Sequence, residues 1–189
     1  MEALIDYLNS IYPLSEDLQL YLTAHLKLKQ IPKNDFLLKA GNVCTLAYFI
    51  KKGLVRCFYH ENKKNITRWF LCEDDFFVSL ESFFLQQPAL VSIQALEKST
   101  VWYFSFEDFQ YVKKTFLEFN YIQAEIVLKY NNENMKRSDS LLNHDAGKRY
   151  LYLLQTHPQF VKRVPSKFLA SYLGMSEFTL SRIKRQLQK

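Results

Sequence analysis

Apolar residues in the first 26 positions recur at helical spacing. Leu18, Leu22 and Leu26 share one face, and Ser15 followed by Glu16 and Asp17 has the form of an N-cap with acids in the positive first turn. From about residue 27 to 105 the pattern changes to short β-branched and aromatic runs: LAYFI, LVRCFY, ITRWFL, LVSIQAL and TVWYF. Turn-forming breaks separate them at Pro32–Asp35, Gly41-Asn42, Gly53 and Glu61–Asn65. Strands at this spacing predict an antiparallel sandwich or barrel rather than βαβ units. Asn62 to Asn65 reads as a hairpin tip whose lysines are solvated.

Beyond residue 105 the helical period returns. Ser105 caps a short helix with Glu107 and Asp108 in its first turn, and a long helix is expected from about Leu117 to Leu142, without Gly or Pro. Tyr121, Leu128, Met135 and Leu142 recur every seven residues, the spacing of a seam between two paired helices. The alternate seam positions, Ala124, Asn131 and Ser138, are small or polar, so packing of this helix on its own domain competes with pairing between chains. Asn143 to Gly147 breaks the pattern. A helix over 146–157 follows and is expected to stop at His157-Pro158, because proline disfavours a helical residue before it.

Composition narrows the class. The chain has 189 residues, 48% apolar and 16% aromatic, with only four glycines and five prolines, which excludes a disordered or low-complexity chain. No apolar run approaches the ~18 residues of a membrane span. Glu2 and Asp6 stand where a signal peptide carries positive charge, so a cytoplasmic chain with no membrane partner is expected. Cys44, Cys57 and Cys72 are odd in number and widely spaced, which signals neither a disulfide framework nor a zinc site. The net charge of +6 is unevenly placed: residues 145–189 hold nine Lys/Arg against two acids, and residues 1–144 hold sixteen against seventeen. The excess is therefore confined to the C-terminal quarter, which points to an anionic partner there.

The most specific stretch is VPSKFLASYLGMSEFTLSRIKRQLQK, residues 164–189. It divides into a helix over Ser166–Leu173, a turn at Gly174-Met175-Ser176 and a second helix from Glu177. Ala170 is small where two helices cross, Gly174 suits a left-handed turn, Ser176 can cap, and Leu169, Leu173, Leu180 and Ile183 form a shared core. This is a helix-turn-helix, whose second helix enters the DNA major groove. Its outward face then carries Glu177, Phe178, Ser181, Arg182 and Arg185. Arg182 suits bidentate readout of guanine, Glu177 accepts from a cytosine amino group, and Phe178 packs on a thymine methyl. Lys167, Thr179 and Lys184 are placed for phosphates.

With YFIKKGLVRCFY, EDDFFVSLESFF and this C-terminal motif, the chain resembles the Crp/Fnr-type bacterial transcription regulators over essentially its whole length. The resemblance implies an α+β chain in three parts. Residues 1–116 would form an effector domain with flanking helices around an antiparallel, jelly-roll-like β-roll of the cyclic-nucleotide-binding type. Residues 117–142 would form a dimerisation helix, and residues 143–189 a helix-turn-helix domain without an evident wing. On the family pattern Glu177, Phe178 and Arg182 fall on base contacts, and Ser166, Ser176, Thr179 and Arg185 on or near backbone contacts. The implied partners are double-stranded DNA, a second copy of the chain, RNA polymerase and a small-molecule effector. The sequence stops soon after the second helix, so wing contacts are expected to be missing and affinity to lean on the dimer.

The effector pocket departs from the pattern. Cyclic-nucleotide-binding relatives have a Gly-Glu pair for the ribose, where this chain has Val78-Ser79. They have an Arg-Ser or Arg-Ala pair for the cyclic phosphate, where the alignment gives Ala89-Leu90. A buried phosphate without its arginine is severely under-compensated, so the pocket reads as degenerate and cyclic nucleotide binding is not expected. Arg56 or Arg68 could substitute only by a coincidence of geometry. The cysteine cluster of iron–sulfur members is missing, and His25, His60, His144 and His157 have no haem context, so no cofactor is called. Two other classes compete. An effector-binding or protein-interaction module with an inert basic tail conflicts with the complete turn motif. An enzyme on the roll conflicts with its single histidine, His60, and with the lack of any Ser/His/Asp, P-loop or paired-carboxylate arrangement.

Overall fold

The computed structural model describes residues 1–62 and 64–187; of the hairpin-tip lysines, Lys63 lies outside the described residues. Two helices open the chain, α1 (Glu2–Ile11) and α2 (Glu16–His25). The Ser15 hydroxyl accepts from the Leu18 N–H at 3.3 Å, the cap expected from sequence. Leu4, Leu8, Leu18 and Leu22 are buried.

Eight strands follow: β1 (Lys27–Ile31), β2 (Phe36–Leu38), β3 (Leu46–Lys52), β4 (Val55–Glu61), β5 (Lys64–Leu71), β6 (Phe76–Phe77), β7 (Val91–Ala95) and β8 (Ser99–Ser105). They pair antiparallel in two four-stranded sheets, ordered β1-β8-β3-β6 and β2-β7-β4-β5. The non-sequential order is that of a roll. β3 and β4 are buried over four successive residues each, because both of their faces are covered. Gly53 joins them at φ +128°, and a Cβ there would lie 2.2 Å from Ser99 Oγ and 2.7 Å from Ser99 Cα, so a side chain is excluded. A one-and-a-half-turn helix, α3 (Leu80–Leu85), sits between β6 and β7. Its six residues interrupt the β texture and were not separable from it by pattern.

Six helices complete the described chain: α4 (Phe106–Thr115), α5 (Leu117–Asn143), α6 (Ala146–Thr156), α7 (Pro158–Arg163), α8 (Ser166–Tyr172) and α9 (Glu177–Leu187). A full capping box, Ser105 with Asp108, starts α4. Pro158 ends α6 as expected, and it also occupies the first position of α7, where its missing N–H costs nothing. The main core fills the roll and extends under α1, α2, α4 and the first turns of α5. A second core joins Leu54, Phe70 and Leu96 of the roll to Tyr150, Leu153, Phe160, Leu169, Leu173, Leu180 and Ile183 of the C-terminal helices. Within the described residues no helix is long and apolar enough to cross a membrane.

Candidate nucleic-acid interface and roll cavity

α8 and α9 are joined through Gly174 at φ +63°. The Gly174 N–H donates to Ser171 O at 3.2 Å and the Met175 N–H to Ala170 O at 3.0 Å, a Schellman closure that satisfies the last carbonyls of α8. Ser176 Oγ accepts from the Thr179 N–H at 3.1 Å and caps α9. Leu169, Ala170, Leu173, Leu180 and Ile183 are buried between the helices, which turns the other side of α9 to solvent. Glu177, Phe178, Arg182 and Arg185 are exposed there, Phe178 at 76%, with Ser181 half-buried. Ser166 and Lys167 are exposed at the start of α8. Lys184 Nζ reaches Ser166 Oγ at 3.4 Å, and Arg185 Nη2 reaches Ser181 Oγ at 3.2 Å. These residues share one surface, so an exposed apolar ring, several cations and one carboxylate stand together on an 11-residue helix.

Two of the C-terminal arginines have internal roles instead. Arg149 holds the turn: its Nε donates to Leu173 O at 2.8 Å, its Nη2 to Gly174 O at 3.4 Å, and its Nη1 to His144 O at 2.7 Å. Arg163 forks across the boundary with the roll. Its Nη1 and Nη2 meet the two carboxylate oxygens of Glu73 at 2.8 and 2.9 Å, and Nη2 also meets Glu97 at 2.7 Å. Burial alone would raise the Glu73 carboxyl; the Arg163 fork and the Gly53 N–H overcome it and hold the group down at about 2. Arg137 on α5 donates to Thr67 O on β5 and to Tyr172 O on α8, at 3.3 and 3.0 Å. Charge counting from sequence missed all three, because a backbone-capping arginine and a solvated one look alike there.

Arg56 on β4 is only 2% exposed. Its guanidinium lies between the rings of Phe58 and Phe168, 3.9 and 3.7 Å from their centroids, and its Nη2 donates to Gln94 at 3.1 Å. Burial lowers its pKa to about 10, which leaves it charged at neutral pH. It faces α8 and does not line the roll's interior. Arg68 is exposed. Neither replaces a phosphate-binding arginine inside the roll.

That interior holds a cavity of about 140 Å³, bounded by β4, β5, β6, α3 and one face of α5. None of its lining residues carries a formal charge, and no histidine is among them. Of the residues called for a degenerate effector pocket, Val78 lines this cavity. Ser79 is buried at the N-terminus of α3, and Ala89 is buried with its N–H on Asn42 O. Leu90 is not brought to the cavity; it is 73% exposed just before β7. Burial pushes the Cys57 thiol at the cavity wall up to about 12, so it is an inert thiol. Among the described residues no group of three or more His, Cys, Asp or Glu is arranged to hold a metal.

The opposite face of α5 is exposed, its one aromatic contact among the described residues being Tyr121 stacked on Tyr12 with ring centroids 5.2 Å apart. Tyr121, Leu128, Met135 and Leu142 are all exposed, Leu142 at 82%, as are Ala124, Asn131 and Ser138 between them.

Residues 28–115 match the family of the cyclic nucleotide-binding domain. The c-di-GMP-responsive global regulator CLP of Xanthomonas campestris is similar in structure, with a TM-score of 0.71 at 17% identity, covering 92% of both chains. A putative regulator of the Crp/Fnr family from Eubacterium rectale has a TM-score of 0.74 at 16% identity, over 97% of this chain and 88% of that one. The catabolite activator protein of Thermus thermophilus has a TM-score of 0.59 at 19% identity, over 96% and 86%. A search of curated proteins finds no significant match. The chain thus contains a domain of the cyclic-nucleotide-binding type and has, over nearly its whole length, the fold of the Crp/Fnr-type transcription regulators.

Proposed function

We propose that the protein is a sequence-specific transcription regulator that binds a partly palindromic DNA operator as a homodimer and does not depend on a cyclic nucleotide. The observation that carries this reading is the outward face of α9. Arg182, Glu177 and Phe178 are exposed together on a helix whose other side is fully occupied by Leu180 and Ile183. Arg182 and Glu177 supply hydrogen bonds to base edges, and Phe178 an apolar contact to thymine. Ser166, Lys167, Ser176, Thr179, Lys184 and Arg185 supply the phosphate contacts that set register. Pairing of two α5 seams would set two α9 helices roughly 34 Å apart, one turn of DNA. RNA polymerase is the further partner that this reading implies. The uncharged cavity offers no cation for a cyclic phosphate, which supports independence from cyclic nucleotides.

The test is selection of bound sequences from a random DNA pool, followed by titration of the selected site. A two-fold-related motif is expected. Arg182→Ala should weaken binding to it by about tenfold to a hundredfold and relax preference at one base pair per half-site, with the melting temperature unchanged. Lys184→Ala should weaken all sequences alike and flatten the salt dependence. Recovery of no motif, or an Arg182→Ala protein that binds as well as the parent, would overturn the reading.

A further inference from the structure

Three apolar side chains of the roll owe their burial to the C-terminal helices. Leu54, Phe70 and Leu96 are buried, yet they pack in the second core with Tyr150, Phe160, Val164 and Leu169 and not in the core that fills the roll. Phe70 meets the rings of Phe160 and Tyr172 with centroids 5.6 and 5.1 Å apart. Separating the roll from those helices would return all three side chains to water.

Polar contacts fasten the same boundary along its length. β5 is an outer strand of its sheet, and its free edge is closed by the helices. The Thr67 N–H donates to Ser171 Oγ at 3.0 Å, the Ser171 hydroxyl donates to Asn65 O at 3.3 Å, and Arg137 Nη2 donates to Thr67 O at 3.3 Å. Left open, such an edge is a template for another strand. Phe168 of α8 lies over the Arg56 guanidinium, and the Arg163 fork ties α7 to Glu73 and Glu97. The break between α5 and α6 is tied as well, since Arg149 bonds His144 O together with Leu173 O. One feature opposes docking: Arg56 Nε and Nη1 are buried without partners. Domains that meet through small polar interfaces move relative to one another by default, and a continuous apolar core overrides that default.

None of these bonds across the boundary involves α9. Glu177, Phe178, Arg182 and Arg185 stay exposed while α8 is docked, so docking presents α9 rather than covering it. We propose that the roll and the helix-turn-helix form one rigid body, and that this docked orientation is the DNA-binding one, so that no ligand is needed to turn α9 toward DNA. The single body follows from the boundary alone. Its role in DNA binding rests on the reading above.

The test uses the full chain. Trp69 and Trp102, its two tryptophans, both lie in the roll, so their fluorescence reports the roll while far-ultraviolet circular dichroism reports mainly the helices. Urea unfolding should give coincident transitions by the two probes, and a separate, earlier step in the dichroism would overturn the single body. For the orientation, Asn65→Cys with Ser171→Cys places two thiols where the parent has a hydrogen bond across the boundary, and oxidation fixes the dock. Oxidised and reduced forms should bind the selected DNA within about twofold of each other, with the oxidised parent as the control for its own cysteines. A loss of about tenfold or more on oxidation, restored by a reductant, would show that α9 must leave the dock and would overturn the proposal. Where the disulfide does not close, Arg163→Ala with Ser171→Ala loosens the boundary without touching α9. That variant should bind the selected DNA about threefold or more weakly, and unchanged or tighter binding would overturn the docked orientation as the active one. A parent protein that selects no DNA sequence fails the regulatory reading instead, and the unfolding result then decides the single body by itself.

Discussion

Gly174 is the residue on which the geometry of the candidate interface turns most directly. Its φ of +63° is strained for any residue with a Cβ, and a Cβ built there would lie 3.1 Å from Leu141 Cδ2. Gly174→Ala should therefore destabilise the protein by roughly 1–2 kcal/mol, a fall of a few degrees in the melting temperature. Because the Schellman closure sets the angle between α8 and α9, DNA affinity should fall further than Arg182-independent stability alone explains. Differential scanning calorimetry and DNA titration on one preparation check both. This position was legible in the sequence, since a lone glycine between two apolar-periodic segments with a serine two residues on has few other uses. Arg149, which grips the same turn through two carbonyls, was not, because its partners are backbone atoms that carry no sequence signal.

Among the elements, α7 and the roll are fastened through Arg163. Glu73 has a folded pKa near 2 against an ordinary value of 4.5, so its contribution is fully present above about 4.5 and disappears as pH falls toward 2. Glu73→Gln should lower stability at pH 7 by roughly 1 kcal/mol, a figure kept small because both partners are partly solvated. The gap between parent and variant should close as pH falls from about 4.5 toward 2, and urea unfolding at pH 7 and near pH 2 measures it. Strands β3, β4, β5, β7 and β8, the Ser15 and Ser105 caps and the start of α9 follow from pattern and local chemistry, whereas β1, β2 and β6 stood outside the apolar runs that mark strands in the sequence. α3 and α7, six residues each, are too short to show a helical period of their own.

At the scale of the whole molecule the exposed seam of α5 matters most. Leu128 and Met135 sit mid-helix with their side chains in solvent, an arrangement that pairing of two copies would bury. Leu128→Glu should shift the protein toward monomer in sedimentation equilibrium, at little cost to monomer folding because Leu128 is already exposed. On the proposed reading the same variant should bind a single half-site no more weakly than the parent does and lose the extra affinity that the parent has for two half-sites in one duplex. A parent protein that is dimeric and stays so with Leu128→Glu would place the interface elsewhere. The heptad spacing was visible in the sequence, whereas the face of α5 that packs on the roll was not. The face that carries Phe119, Ile122, Ile126 and Tyr130 packs on the main core.

Local physics was sufficient for some of this protein. Period-2 and period-3.6 patterning, turn glycines, caps and the location of positive charge predicted an antiparallel β sandwich or barrel, a long helix and a basic helix-turn-helix, because each depends on residues close in the chain; the roll itself was implied by the family resemblance. Only the tertiary structure decided which cations were free and which were bound. It turned Arg163 to Glu73 and Glu97 and stacked Arg56 between Phe58 and Phe168. It also seated Gln123 at an uncharged cavity formed by elements as far apart as α1 and α5. Apart from Arg56 on Phe58, those outcomes depend on contacts between residues dozens of positions apart, and pairwise proximity of that range leaves no periodic trace in a single sequence.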